Sequence, residues 1–173
     1  IRTISAAVRH RVPLVPRGGG TANYGQSVPM EGGALLDLRG MAGVVWKRPG
    51  AVRALGGTRM DLLDAELRET GWELRIHPST RKDSTLAGFV AGGSGGMEEE
   101  PRAIELRGAD AQLAHHAYGT TGIITEIELP LAPAWPWREV VLGFPSYGAA
   151  IRFALRLLRE PGVLKKLTSV QEW

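Results

Sequence analysis

Cysteine is absent from the 173 residues. That excludes disulfide staples and thiolate-held metals or clusters, and it fits an intracellular, cytoplasmic home. No apolar run approaches the roughly 20 residues that span a bilayer, so no transmembrane segment is expected. No basic stretch leads into an apolar one, so no secretory signal is read. The chain opens at Ile1 without a Met, and an upstream segment is expected. The four histidines, His10, His77, His115 and His116, lack HExxH or similar spacing, which argues against a metal site. Charge of one sign is also missing. Lys and Arg number 21 against 18 Asp and Glu, for a net +3, and the basic residues are dispersed. Without a basic cluster interleaved with aromatics, a nucleic-acid surface is not expected.

Glycine, by contrast, is abundant. Its 23 copies concentrate at Gly18-Gly19-Gly20 and around Ser94 in Gly92-Gly93-Ser94-Gly95-Gly96, where backbone must turn sharply or pass close to something. Hydrophobic residues make up 43% of the chain, enough for a sizeable core.

The pattern along the chain predicts a helix end over Thr3–His10 and a short strand over Val12–Val15. A long loop from Pro16 to Gly33 separates these from a strand over Ala34–Leu38. Val44–Trp46 and Ala51–Leu55 read as strands joined by a turn at Arg48-Pro49-Gly50. Met60–Thr70 reads as a helix with Met60, Leu63 and Leu67 on one face and Gly71 as its stop. Leu74–Ile76 is strand-like, His77–Thr85 a polar loop, and Leu86–Ala91 a small apolar segment. Ala109–His116 reads as a short helix and Ile123–Leu129 as a strand. Three prolines in Pro130–Pro136 suggest a linker. Beyond it a strand over Val140–Phe144 and an amphipathic helix over Tyr147–Arg159 are expected, the latter with Ile151, Ala154, Leu155 and Leu158 on one stripe. A short element would follow. Strands that follow one another directly point to an α+β fold rather than a regular doubly wound sheet.

The strongest chemical signal is Val12-Pro13-Leu14-Val15-Pro16-Arg17-Gly18-Gly19-Gly20-Thr21. A strand runs into three residues without Cβ, so successive N–H groups can converge on one anion such as a pyrophosphate. A plain flexible turn is the bland alternative. Asn23 stands where the dinucleotide fingerprint needs its third glycine, and GxxxxGK[ST] is absent, so neither of those phosphate loops is present.

Pro16-Arg17-Gly18-Gly19-Gly20-Thr21, followed by Gly25-Gln26, resembles the phosphate loop of the vanillyl-alcohol oxidase and p-cresol methylhydroxylase flavoproteins. Three further stretches resemble that family in its own order. Ala34-Leu35-Leu36-Asp37-Leu38 with Met41 is similar to the strand after the loop. His77-Pro78-Ser79-Thr80 through Ser84-Thr85-Leu86-Ala87-Gly88 is similar to the second flavin loop. Tyr118-Gly119-Thr120-Thr121-Gly122-Ile123-Ile124-Thr125-Glu126 is similar to the Gly-x-x-Gly-Ile-Ile-Thr-Glu signature. The likeness covers roughly Val12 to Pro133.

The resemblance implies a two-subdomain FAD-binding domain over residues 1–133, incomplete at its start, and the beginning of a substrate or cap domain over 137–173. It implies FAD and hydride transfer to flavin N5 from a small 2-hydroxy acid, such as D-lactate or glycolate, or another alcohol. The electron acceptor and the catalytic base, which relatives usually draw from the cap, are not named by it, and an oligomer stays open. Residue by residue, Gly18, Gly19, Gly20 and Thr21 would hold the pyrophosphate, with Pro16, Arg17, Gly25 and Gln26 completing that loop. Pro78, Ser79, Ser84 and Thr85 would line the ribityl and isoalloxazine region, with Gly88 letting backbone approach. Gly119, Gly122 and Ile123 would meet the adenine side or flavin edge. His77 would face the ring or serve as a loop hydrogen-bonder, and Arg17 would pair with phosphate or brace the loop through carboxylates. Thr21 stands where some covalently flavinylated relatives carry His, so a noncovalent link is expected.

The chain departs from the family in three places. Little precedes Val12, the stretch between Gly96 and Met97 is too short and implies missing residues there, and the cap barely begins. Two rival functions stand beside the oxidoreductase. Gly92-Gly93-Ser94-Gly95-Gly96 fits the GxSxG elbow of serine hydrolases, with Asp110 and His115 or His116 following in order. A non-catalytic binding module on the same fold is the other.

Overall fold

The structure, a computed structural model, describes residues 2–93, 97–98 and 109–172, without the side chains of 97, 98 and 109–111. Helix α1 (Arg2–Arg9) leads into β1 (Leu14–Arg17), which pairs in parallel with β2 (Ala34–Asp37), Leu14 opposite Ala34 and Arg17 opposite Asp37. The expected strand at Val12–Val15 thus lies two residues later. Pro13 has no N–H to give, and its carbonyl accepts from Ala34 N at 2.9 Å, just ahead of the ladder.

A four-stranded antiparallel sheet follows, with β3 (Val44–Arg48), β4 (Ala51–Leu55), β8 (Glu126–Pro133) and β5 (Trp72–Leu74) in that spatial order. Its strands alternate faces. Val52 and Ala54 are fully buried, while Arg53 on the opposite face pairs with Glu128 at 3.2 Å. Helix α2 (Met60–Arg68) places Met60, Leu63 and Leu67 against the buried face, joined there by Leu74, Ile76, Leu86, Phe89 and Leu131. Gly71 follows with φ +82, a left-handed turn that releases the chain from helix into β5. A short pair, β6 (Ile76–His77) with β7 (Met97–Glu98), lies beyond it.

Leu86–Gly92 forms helix α3, capped by Thr85, whose hydroxyl accepts from Gly88 N at 3.3 Å. Ala109–Ala114 forms α4 and Tyr147–Leu158 forms α5. Three expectations change. The strand expected over Ile123–Leu129 starts only at Glu126. It then continues through Pro130–Pro133, where a linker was expected. β8 changes partners there: Pro130 stands opposite Ala51, the first residue of β4, and Pro133 opposite Trp72, the first of β5. Both prolines sit at ladder ends, where a missing N–H costs least. Val140–Phe144 is not a strand. Of the stripe on α5 only Ala154 is buried, and Leu155 and Leu158 stay 49% and 55% exposed. The expected break between Gly96 and Met97, and Ser94, lie outside the described residues, as does the side chain of Asp110.

Candidate functional site

A cavity of about 400 Å³ opens where three segments meet, within the size range of small-molecule sites. The parallel pair β1–β2 delivers the first of them. As β1 ends, Gly18, Gly19 and Gly20 turn along the cavity wall, followed by Thr21 and Gln26. None of the N–H groups of Gly18, Gly19, Gly20 and Thr21 donates a hydrogen bond within the described residues. They remain available to an anion, which is what a pyrophosphate cradle requires.

The glycines there are needed for close packing as well. A Cβ on Gly18 would collide with Thr85 Oγ1, and one on Gly19 with the Asp83 carbonyl oxygen and, at 3.3 Å, with Ser84 Cα. The glycine triplet therefore sits directly on the second loop. That loop is a tight turn, with Arg81 N donating to Pro78 O at 3.0 Å, Ser84 N to Thr80 O at 3.0 Å, and the Thr80 and Ser84 hydroxyls 2.7 Å apart. It is tied to α2 through Met60 N and Ser84 O, 3.0 Å apart. Pro78, Ser79, Ser84, Thr85 and Gly88 line the cavity from this side.

The third wall comes from the chain after α4. Tyr118 N donates to Ala91 O at 2.9 Å, docking this segment on the end of α3. Tyr118 and His116 both have left-handed backbone, with φ 51 and φ 57, and His116 Nε2 lies 2.8 Å from the Tyr118 hydroxyl. Gly119 packs on Pro16, where a Cβ would clash with the ring. Gly119, Gly122 and Ile123 line the cavity, as does Pro16.

Three sequence-selected residues do not line it. Gly25 turns the first loop with φ +79, its carbonyl accepting from Val28 N at 3.0 Å. His77 is buried in the interior, its side chain only 1% exposed and 3.8 Å from Asp64 Oδ1. Neither ring nitrogen has a hydrogen-bond partner among the described residues. Burial pushes the His77 pKa below the ordinary range, against an opposing pull from Asp64. Arg17 lies outside the wall with its guanidinium against Gly20. It makes no carboxylate pair among the described residues, because the nearby Asp37 carboxylate is held by Arg39 at 2.6 Å. That hydrogen-bonded pairing keeps the Asp37 pKa down to about 2.

Sequence reading passed over Ala22, Asn23, Tyr24 and Ser27 in the first loop, and Leu38, Thr80 and Tyr118 elsewhere, all of which line the cavity. Each is inside or beside a quoted motif, so position within the motif was the available signal. No lining residue among those described carries a charged side chain. No group of three or more candidate metal ligands occurs among the described residues, and no helix there is long and apolar enough to cross a membrane.

A glycine-rich turn, a hydroxyl-bearing turn and a Gly-x-x-Gly-Ile segment thus meet around one cavity without a charged lining side chain among the described residues. The FAD binding domain family matches residues 1–106, and the chain belongs to that family, with FAD as its cofactor. The glycine run at residues 92–96, once a possible hydrolase elbow, lies inside the matched span. Among curated proteins the chain is similar to the glycolate oxidase subunit GlcD of Bacillus subtilis (strain 168), 32% identical over 99 residues, which are 56% of this chain and 21% of that protein. Among solved structures it is similar to alkyldihydroxyacetonephosphate synthase in two crystal forms. TM-scores are 0.72 and 0.68 at 24% and 23% identity, covering 91% of this chain and 34% of the other in both. That second likeness is one of fold. The chain spans about a fifth of the length of the curated relative and about a third of the synthase.

Proposed function

We propose that the protein is part of an FAD-dependent oxidoreductase that binds FAD without a covalent link and oxidises a small 2-hydroxy acid or alcohol. The observation that carries this reading is the convergence of loops distant in sequence on one uncharged cavity walled by free backbone N–H groups and hydroxyls, in a chain of the FAD-binding family. The name of the glycolate oxidase relative supports the substrate class. Bound FAD would supply the hydride acceptor, while the protein binds and orients it.

In this reading Gly18, Gly19, Gly20 and Thr21 hold the pyrophosphate through backbone N–H groups. Pro78, Ser79, Ser84 and Thr85 flank the ribityl chain and ring, and Gly88 admits close approach. Gly119, Gly122 and Ile123 face the adenine side or the flavin edge. The absence of cysteine and the presence of Thr21 favour noncovalent binding. Residues 1–133 form the two-subdomain FAD-binding unit, and 137–173 open the cap that supplies the substrate side. A cytoplasmic home goes with the cysteine-free composition.

The test is a titration of the purified full-length protein with FAD. Ligand at about 100 times its dissociation constant adds about 2.7 kcal/mol of stability by mass action, read as a rise in melting temperature. Acid precipitation should leave the flavin in the supernatant. Anaerobic bleaching of the flavin bands by glycolate or D-lactate is expected. FAD that binds but is never reduced by any 2-hydroxy acid or alcohol would favour the binding-module reading instead.

A further inference from the structure

The walls of the cavity present an electrostatic puzzle. The group they would hold carries a pyrophosphate, yet no lining side chain among the described residues is cationic. Backbone N–H groups supply partial charge only. Among the described residues, the cation in contact range of the glycine wall is Arg17. Its Nε and Nη2 both lie 2.6 Å, and its Cζ 2.9 Å, from the position a Cβ on Gly20 would occupy, so the guanidinium turns its Nε–Nη2 edge toward Gly20, while Arg17 itself does not line the cavity. Gly20 itself lines the cavity, and its φ of +72 is the conformation that leaves this room.

Among the described residues Arg17 forms no salt bridge, and its buried Nε has no hydrogen-bond partner there. Asp37, which acts on it electrostatically, is engaged by Arg39 through three side-chain hydrogen bonds. A half-buried guanidinium without a salt-bridge partner among the described residues is costly, and an anion bound beside Gly20 would offset that cost. A Gly20 side chain would displace the guanidinium from this position.

Resting on the cofactor reading above, we propose that Arg17 is a positioning residue for the pyrophosphate: it acts through Gly20, holding the glycine wall in its left-handed turn and supplying through that wall the positive charge the cavity itself lacks. It does not touch the cofactor. Two consequences follow from charge acting at short range beside Gly20. FAD affinity should weaken as salt rises, because partly solvated charges are screened. Lys, which keeps the charge on a shorter-reaching head, should replace Arg better than a neutral residue of similar stem.

The experiment measures FAD dissociation constants for the full-length protein, Arg17→Met and Arg17→Lys, from roughly 50 to 500 mM salt, with melting of each apo protein as the folding control. Arg17→Met should bind FAD about tenfold or more weakly at low salt and with a flatter salt dependence. Arg17→Lys should recover most of the affinity and the original slope. Wild-type affinity and slope in Arg17→Met would overturn the inference while leaving the cofactor reading intact. So would equal weakening in both variants with the slope unchanged, the mark of a merely structural residue. If Arg17→Met fails to fold, the wild-type slope and Arg17→Lys decide, and salt-independent binding by the wild type overturns the proposal. Wild-type protein that refuses FAD at any salt removes the cofactor reading and this inference with it.

Discussion

Gly18 and Gly19 face the Thr85 hydroxyl and the Asp83 carbonyl rather than open solvent. A side chain at Gly19 would therefore push the phosphate loop off its neighbour before any ligand arrived. Gly19→Val should cost about 1–3 kcal/mol in the apo protein, the usual scale of overpacking, measured by urea unfolding without FAD. A flexible surface turn would tolerate such a change, but the contact with the second loop makes the triplet part of the packing. Thr21 provides the contrast, being exposed at the cavity wall. Thr21→Glu should leave apo stability within about 0.5 kcal/mol and yet weaken FAD at least about tenfold by placing a carboxylate beside the phosphates. His77 is the other informative residue. Its pKa is held below normal by burial, so the folded state keeps the ring neutral while the unfolded chain takes up a proton below pH about 6.5. The unfolded state then binds more protons, and stability falls as pH drops through that range. His77→Leu should flatten this decline, read as melting temperature between pH 7.5 and 5.5, values bracketing that ordinary pKa of about 6.5. An unchanged slope would mean that another group sets it.

At the scale of elements, α3 carries the cavity's second wall on a short run of residues, Leu86–Gly92. A helix this short gains little from propagation, so its ends and its packing decide whether it forms. Leu86 and Phe89 anchor it in the core, and Thr85 caps it while bearing on Gly18. Thr85→Ala should cost about 1 kcal/mol, whereas Thr85→Ser, which keeps the oxygen, should lose little. Chemical denaturation of the three proteins checks this. β8 makes the complementary case. Read as sequence, its Pro130 and Pro133 interrupt a strand; read as a ladder, each falls opposite the first residue of a partner strand.

Across the whole molecule, the segment after β8 is tied back to the sheet by a buried carboxylate. Glu73 on β5 is fully buried and accepts from Trp137 Nε1 at 2.8 Å, from Lys166 Nζ at 3.2 Å and from Arg68 Nη1. Arg68 also donates to the Trp135 carbonyl at 2.6 Å. Neutralising a buried carboxylate that accepts from three side chains weakens the whole network, so Glu73→Gln should cost about 3 kcal/mol, the lower end of the range because Arg68 is partly solvated. Limited proteolysis should cut first within residues 137–172 in that variant. Loss of stability without new cleavage there would show that the network serves the sheet rather than the tail.

Much of this was legible in the sequence because it rests on local rules. Alternating apolar residues gave β3 and β4, the turn at Pro49-Gly50 joined them, and the spacing of Met60, Leu63 and Leu67 gave α2 with Gly71 as its stop. Loops whose backbone chemistry is written in glycine, proline and hydroxyl residues were likewise recognisable, and fourteen of the seventeen site residues read from them line one cavity. What local rules cannot carry is which surfaces meet. That Gly19 presses on Asp83, that Arg17 lies beside Gly20 without lining the cavity, and that His77 is buried are decided by how the β1–β2 pair, α3 and the four-stranded sheet come together. Nor can a single strand reveal that its prolines sit at ladder ends, since that depends on two partners brought from residues 51–55 and 72–74. Sequence determined the backbone chemistry and the elements, because torsional preference and periodicity act within a few residues. The tertiary structure alone decided orientation and burial, because these arise from contacts between segments dozens of residues apart.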